Sequence, residues 1–321
     1  MSDPFPPFQF IADRGDARLR LDQVLVRRVR DVRHFSRTVA RHWIESGAVA
    51  VDGQVAPRAA VRVREGAAIT VAIPSSAVRR ARPEPEPLLL EVLYEDNDLI
   101  AINKPAGMVV HPTYKQYSGT LLNAVLARVH DRIDAQPGIL TRLDKGTSGI
   151  VIVGLSPHVH AALQDQARRG EVVKEYLAVV DGRPDPPSGR IRFPLTRDPA
   201  DRRRVIVLPA GAPSETAYDT IGSLDTEDGV ISLIRCRLIT GRTHQIRVHL
   251  EASGWPILGD PLYGRPAAEL TRQALHAWRI GFSHPITGQR HTIVAPPPTD
   301  IHDIAGPLTD RLPHDEFFGR A

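Results

Sequence analysis

The chain has a single cysteine, Cys236, among 321 residues. That excludes an internal disulfide and any Cys-x-x-Cys pair for zinc or thiol redox chemistry. Cys236 lies in the alternating run I-S-L-I-R-C-R-L-I, which reads as a strand with a packed thiol rather than a nucleophile. Aromatics are sparse, at 5% of the residues. No apolar run approaches the roughly 20 residues that a membrane-spanning helix needs. The start, M-S-D-P-F-P-P-F-Q-F, lacks the basic and apolar segments of a secretory leader, so a cytosolic protein is expected. The phosphate-cradling P-loop, the dinucleotide G-x-G-x-x-G and the zinc-binding H-E-x-x-H are also missing, and there is no repeat of 20–50 residues.

Arginine is plentiful and unevenly placed. Residues 1–82 hold 15 Lys and Arg against 8 Asp and Glu, a net of +7, whereas residues 83–321 hold 26 against 29, a net of −3. A basic N-terminal module suits a polyanionic partner, and a merely solvated basic face is the alternative.

The punctuation divides the chain. A small module is expected over 18–74. Its first amphipathic helix starts at Leu21, and a second spans Arg37 to Glu45 behind the N-cap Ser36. Asp52-Gly53 between short apolar runs signals a hairpin, and a last strand covers Ala68 to Ile73. The segment P-S-S-A-V-R-R-A-R-P-E-P-E-P reads as an extended, semi-rigid linker over 75–87, in which Arg79, Arg80 and Arg82 add positive charge. A large domain is expected over 88–300 and a C-terminal tail over 301–321. The large domain has helix signals at Thr120 to Val129, at Ser156-Pro157 to Gly170 and at Thr243 to Ala252. Strand signals fall near 172–180, 191–195, 204–208, 216–221, 230–239, 278–282 and 290–294. Hairpins dominate, which predicts an α+β fold with a large, mostly antiparallel mixed sheet flanked by helices.

The most informative stretch is G-I-L-T-R-L-D-K-G-T-S-G-I-V-I-V-G, Gly138 to Gly154. It reads as strand, tight loop, strand, with Gly146 and Gly149 permitting the turn. One carboxylate, Asp144, sits in the loop beside Arg142 and Lys145. Taken alone, the segment leaves two readings open: a reacting carboxylate on a rigid support, or an Asp that caps a turn. Three further segments accompany it. They are N-K-P-A-G-M-V-V-H-P from Asn103, V-V-K-E-Y-L-A-V-V from Val172, and T-G-R-T-H-Q-I-R-V-H-L from Thr240, the last followed by L-G-D-P-L-Y-G from Leu258.

Together and in this order these segments resemble the RluA-type pseudouridine synthases, and particularly the RluD-like branch, over roughly 88–298. Two helices followed by a hairpin at the N-terminus resemble the small RNA-binding fold of a ribosomal small-subunit protein, which many of these synthases carry. The resemblance implies an isomerase that converts uridines in RNA, with large-subunit ribosomal RNA as the usual target. It implies Asp144 as the essential carboxylate, Tyr176 as the aromatic that packs on uracil, and Arg247 as the basic partner of the acid. Arg142 corresponds to the family arginine that fills the space of the flipped nucleotide. Lys104, with Pro105 and Gly107, shapes the site and is expected near the substrate. Arg37 and Arg41, joined by Arg33 and His34, would face phosphates on the second helix. The family usually has His before R-L-D, where this chain has Thr141; that departure concerns an RNA contact and not the carboxylate. His244 and His249, five apart, do not share a helix face for a metal and are expected to be structural or RNA-adjacent.

The chemistry asks for no cofactor or metal: uracil leaves with its charge spread over its own carbonyls, so one buried carboxylate suffices where glycosidases need two. The expectation is a monomer with RNA as partner and no membrane attachment. Two other readings stand beside it. One is an inactive RNA-binding or ribosome-assembly protein on the same fold, and the other is a carboxylate-dependent nucleoside hydrolase.

Overall fold

The computed structural model describes residues 7–29, 35–72, 83–113, 116–267 and 270–313, and its contacts divide the chain into two compact units, Met1–Pro83 and Glu84–Ala321. Arg33, His34, Arg79, Arg80 and Arg82, which the sequence suggests as phosphate contacts, lie outside the described residues.

In the first unit α1 spans Leu21–Arg28 and α2 spans Arg37–Glu45. Ser36 caps α2 by accepting a hydrogen bond from the Val39 N–H at 3.4 Å. Leu21, Val24 and Leu25 of α1, and Ala40, Trp43 and Ile44 of α2, recur at helical spacing and are buried in one core. Each fully buried aliphatic side chain there contributes about 1.5–3 kcal/mol. A four-stranded antiparallel sheet, β1 (Phe8–Ile11), β2 (Val49–Val51), β3 (Gln54–Val55) and β4 (Ala68–Val71), runs in the order β1-β4-β2-β3. The β2–β3 turn has φ 50° at Asp52 and 77° at Gly53, the two left-handed residues that such a hairpin needs. Strand β1 is absent from the sequence reading, which starts the module at residue 18. F-Q-F-I is only four residues long and follows a proline-rich start, so its pairing with β4 carries no local signal.

The second unit contains β5 (Glu91–Glu95), β6 (Leu99–Lys104), α3 (Leu121–Arg128), β7 (Gly138–Ile139), β8 (Ser148–Gly154) and α4 (Pro157–Arg168). It continues with β9 (Val173–Asp181), β10 (Ser188–Ile191), β11 (Leu195–Arg197), β12 (Val205–Val207), β13 (Thr216–Thr226) and β14 (Gly229–Leu238). It closes with α5 (Gln245–Ala252), β15 (Leu275–Ser283), β16 (Arg290–Val294) and α6 (Thr299–Ala305), then a short 3-10 helix over Gly306–Arg311. Ten strands form one sheet along the path β10-β13-β14-β9-β15-β8-β6-β5, with β16 on β15 and β7 on β8. Every pairing is antiparallel except β8 with β15, where His276 and Ala277 lie beside Ser148 and Gly149. This is the α+β, mostly antiparallel sheet expected from the hairpin pattern.

Alternation on β6 and β8 splits the side chains between two cores. Ile100, Ile102, Val151 and Val153 face one, which also takes in α3 and α5; Leu99, Ala101, Ile150 and Ile152 face the other, covered by α4. Gly149 owes its identity to this packing rather than to the loop. It lies inside β8 at φ 109°, and a Cβ there would come within 2.2 Å of the Ala277 carbonyl oxygen.

Three boundaries differ from the sequence reading. The strand expected over 191–195 is interrupted, because Pro194 has no N–H to donate between β10 and β11. Residues 84–86 are not a spacer: the Asn123 amide donates to the Glu84 carbonyl at 2.7 Å, and Glu86 Oε2 accepts from the Gly119 N–H at 2.8 Å. Residues 301–312 are not a tail, since Ile301, Ala305, Leu308 and Leu312 are buried in the main core.

Candidate active site

Asp144 stands in the loop that enters β8, where the sheet's one parallel contact forms. The loop is pinned from both sides. Lys104, at the end of β6, is fully buried and donates to the carbonyls of Pro105, Met108 and Lys145 at 2.7, 2.9 and 3.3 Å. Burial, with Arg272 nearby, pulls its ammonium down to about 7, while three carbonyl acceptors match the three N–H groups of the charged form. Lys104 is therefore a staple between the K-P-A-G and R-L-D-K loops; its expected place at the substrate is corrected by its burial. On the other side Arg272 donates to the Gly146 carbonyl at 3.2 Å and holds Asp300 at the start of α6 with two 2.6 Å bonds.

Arg247 is the centre of the site's electrostatics. It projects from α5, is 4% exposed, and donates through Nη1 to Asp144 Oδ2 at 2.8 Å. Its Nε and Nη2 grip Asp260 at 2.6 and 2.8 Å, a bidentate match of guanidinium fork to carboxylate. Asp260 also accepts from the backbone N–H groups of Leu262 and Tyr263. Burial alone would raise the Asp260 pKa, but the Arg247 hydrogen bonds and charge hold it below the ordinary carboxylate range. Asp144 uses Oδ2 for Arg247 and leaves Oδ1 without a hydrogen bond to any described residue. Its side chain is 29% exposed, open to a cleft that Arg142, Tyr176, Leu238 and His244 also line.

Tyr176 lies on β9 opposite Ala277 of β15 and Cys236 of β14. Its ring is buried, and burial together with the Asp144 charge pushes its hydroxyl well above the usual tyrosine range, so it stays protonated at neutral pH. Arg142 is exposed at the rim, with no hydrogen bond or ion pair to a described residue. Thr141 is buried, and its Oγ1 accepts from the Ile152 N–H at 3.2 Å, so this position serves strand packing and does not line the cleft. The structure thus brings Asp144, Tyr176, Arg247 and Arg142 to one cleft and takes Lys104 out of it. Arg37 and Arg41 belong to the other unit, both exposed on α2.

Four participants go beyond the sequence reading, which kept His244 only as structural or RNA-adjacent and gave Gln245, Asp260 and Tyr263 no role of their own. The helix expected from Thr243 begins at Gln245. His244, at φ 55°, is left-handed and turns its ring into the cleft. Its Nε2 is 3.8 Å from Asp144 Oδ2, and its Nδ1 is 2.9 Å from the Tyr263 hydroxyl. Asp260 and Tyr263 belong to G-D-P-L-Y-G, a motif visible in the sequence whose contact with Arg247 is not. Gln245 holds the turn: it accepts from the Arg242 N–H and donates to the Glu215 carbonyl and Thr216 hydroxyl. His249 is buried against the Phe193 carbonyl and Ser214, as a structural histidine.

Among the described residues one trio, Asp96, Asp98 and His284, has metal-ligand types in close reach. Asp96 already accepts from the Tyr94 hydroxyl, the His284 ring and the Asp98 and Leu99 N–H groups, which fits a structural hub. No helix of the described residues is long and apolar enough to cross a membrane.

A carboxylate paired with a buried arginine, beside a buried aromatic and open to a cleft, can stabilise a sugar cation, attack it, or take a proton from it. Comparison with known proteins agrees with that chemistry. Residues 98–252 match the family model described as RNA pseudouridylate synthase. An uncharacterized RNA pseudouridine synthase of Chloroflexus aurantiacus is 43% identical over 302 residues, covering 91% of this chain and 90% of the relative. The ribosomal large subunit pseudouridine synthase D of Zymomonas mobilis is 37% identical over 299 residues, covering 88% and 91%. The solved structure of human RNA Pseudouridylate Synthase Domain Containing 4 shares the fold, with a TM-score of 0.55 at 23% identity, covering 68% of this chain and 92% of that one. With relatives this similar over nearly its whole length, the chain belongs to the RNA pseudouridine synthases, isomerases of the RluA and RluD type.

Proposed function

We propose that Asp144 carries out the isomerisation of a flipped uridine in large-subunit ribosomal RNA. The supporting observation is the Arg247 fork, which grips Asp260 and spares one N–H for Asp144 Oδ2, leaving Oδ1 free toward the cleft. In the reaction the bond from C1′ to N1 breaks and a bond from C1′ to C5 forms. The C5 proton is lost and N1 gains one, so nothing is hydrolysed. Asp144 supplies the negative charge that the sugar needs while uracil is detached, as nucleophile, ion partner or base. Tyr176 packs on the uracil and keeps it against the sugar while it turns. Its hydroxyl is protonated at rest, so packing is its first role, and it takes part in removing the C5 proton only by handing on its own.

Arg142, free at the rim, occupies the gap that the flipped base leaves in the helix. Arg37 and Arg41 supply phosphate contacts from α2. The ribosomal target is supported by relatives named for the large ribosomal subunit, and a cytosolic location is consistent with such a substrate. A monomer is the expected state, and light scattering tests it.

The assay is tritium release from carbon five of uracil-labelled ribosomal RNA, with pseudouridine mapping of the product. Release with pseudouridine at discrete positions is expected. Free uracil would reveal a hydrolase, and no release would reveal an RNA-binding protein only. The intact set of Asp144, Tyr176 and Arg247 argues against the RNA-binding reading, and Asp144 as the one carboxylate among the described residues lining the cleft argues against the hydrolase.

A further inference from the structure

The site holds a histidine whose placement the reaction described above does not use. His244 lines the cleft from a left-handed backbone position, and the Tyr263 hydroxyl contacts its Nδ1 at 2.9 Å. The same hydroxyl accepts a hydrogen bond from the Val205 N–H at 2.7 Å. A phenol has one proton to give. If Nδ1 carried a proton, the phenol would accept from both neighbours and its own proton would have no acceptor among the described residues. The phenol is buried, and its proton finds an acceptor only when Tyr263 donates to Nδ1; the donor then left open is the imidazole N–H that faces the cleft. The imidazole proton then sits on Nε2, which is 3.8 Å from Asp144 Oδ2. Tyr263 is itself held firmly: the Arg204 and Arg247 guanidiniums lie 4.9 and 5.0 Å from its ring centroid, and Arg204 also binds the Leu262 carbonyl.

We infer that His244 is a positioning residue: Tyr263 fixes it as the Nε2–H tautomer, and that N–H becomes the second donor to Asp144 Oδ2 once a nucleotide fills the cleft. Arg247 and His244 then hold the same oxygen from two directions, which fixes the carboxylate plane and points Oδ1 at the sugar. The 3.8 Å separation closes by less than 1 Å to reach hydrogen-bond length. A positioned carboxylate reacts faster than a rotating one because less orientational freedom is lost on the way to the transition state.

This inference rests on Asp144 as the reacting carboxylate, so its test has a readout that does not depend on activity. Long-range proton–nitrogen spectra of histidine-labelled protein report which ring nitrogen carries the proton, and the His244 signal is the one absent from His244→Gln. The wild type is expected to show His244 as the Nε2–H tautomer, and Tyr263→Phe to lose that preference. Single-turnover rates at saturating RNA supply the second arm. His244→Asn tolerates the left-handed backbone but lacks a donor at the Nε2 position. It is expected to slow the reaction about 10- to 100-fold, the scale of losing one oriented group, with RNA affinity within twofold. His244→Gln places an amide N–H near that position and should recover at least half of the loss on a logarithmic scale. Tyr263→Phe should cost almost nothing further in the His244→Asn background. A wild-type spectrum showing Nδ1–H, or a folded His244→Asn protein with wild-type rate, overturns the inference. Loss of recovery by Gln, with both variants folded, does the same. Activity surviving Asp144→Asn would instead overturn the reading of Asp144, and the spectra would still decide the tautomer.

Discussion

Each unit of the protein contains an aspartate gathered in by arginines, and the two are built inside out from one another. In the first unit Asp22 is fully buried. Arg20 binds it with two 3.0 Å bonds, and Arg37 and Arg41 approach within 3.7 and 4.0 Å, all three with side chains 37–55% exposed. In the second unit the arginine is buried: Arg247 is 4% exposed, and one of its two carboxylates, Asp144, opens to the cleft. The buried acid orders three cations and leaves surplus positive charge facing solvent, which suits a polyanion. The buried cation orders two acids and leaves one carboxylate facing a cleft, which suits an electron-poor sugar. The same residue pair thus presents positive charge to solvent or an open carboxylate to a cleft, according to which partner is hidden.

The contrast is broken most sharply at Asp144. Asp144→Asn keeps the side-chain shape and removes the charge, the nucleophile and the base together. Pseudouridine formation is expected to fall by at least about 10⁴-fold, the scale of deleting a group on which the whole reaction depends. RNA affinity should stay within a few-fold, because phosphate contacts dominate it. Substantial turnover in a protein with a normal melting curve would falsify the mechanism.

Asp260→Ala tests the buried cation. It leaves Arg247 with Asp144 alone and two donors unpaired in the interior. Breaking a buried pair on one side costs about 3–5 kcal/mol, read as a lower denaturant midpoint, and Arg247 should swing from Asp144 and reduce the rate as well. A stability change below about 1 kcal/mol would show that the fork is dispensable.

Arg142→Ala sharpens the division between binding and chemistry within the second unit. If Arg142 fills the gap left by the flipped base, structured RNA should suffer more than an unpaired strand, by the few kcal/mol that extrusion costs. An equal loss on both substrates counts against that role.

The smallest effect belongs to the first unit. In Arg37→Ala with Arg41→Ala, Asp22 keeps its two bonds to Arg20, so the unit should remain folded. The slope of log affinity against log salt should flatten by roughly 0.9 for each phosphate contact removed, about 1.8 for both, with the rate at saturating RNA unchanged. An unaltered slope would mean that these arginines serve Asp22 and solubility only.

Much of this was legible from local pattern. The cap at Ser36, the Asp52-Gly53 hairpin, the Ser156-Pro157 start and the alternating run around Cys236 all appear where the sequence predicts them, because each depends on residues a few positions apart. The R-L-D loop and Tyr176 were legible as motifs and share one cleft. What the sequence did not carry depends on distant partners. Strand β1 exists only because β4 offers an edge. Lys104 looks like a substrate contact until three carbonyls from two loops close around it. His244 looks helical until Gln245 ties the turn to β13 and forces the residue before it into a left-handed conformation. The sequence by itself determined most of the elements, the family and the candidate carboxylate. Only the tertiary structure decided which arginine is hidden and which acid is left open. That choice rests on the desolvation of groups up to 103 residues apart, and no local pattern encodes it.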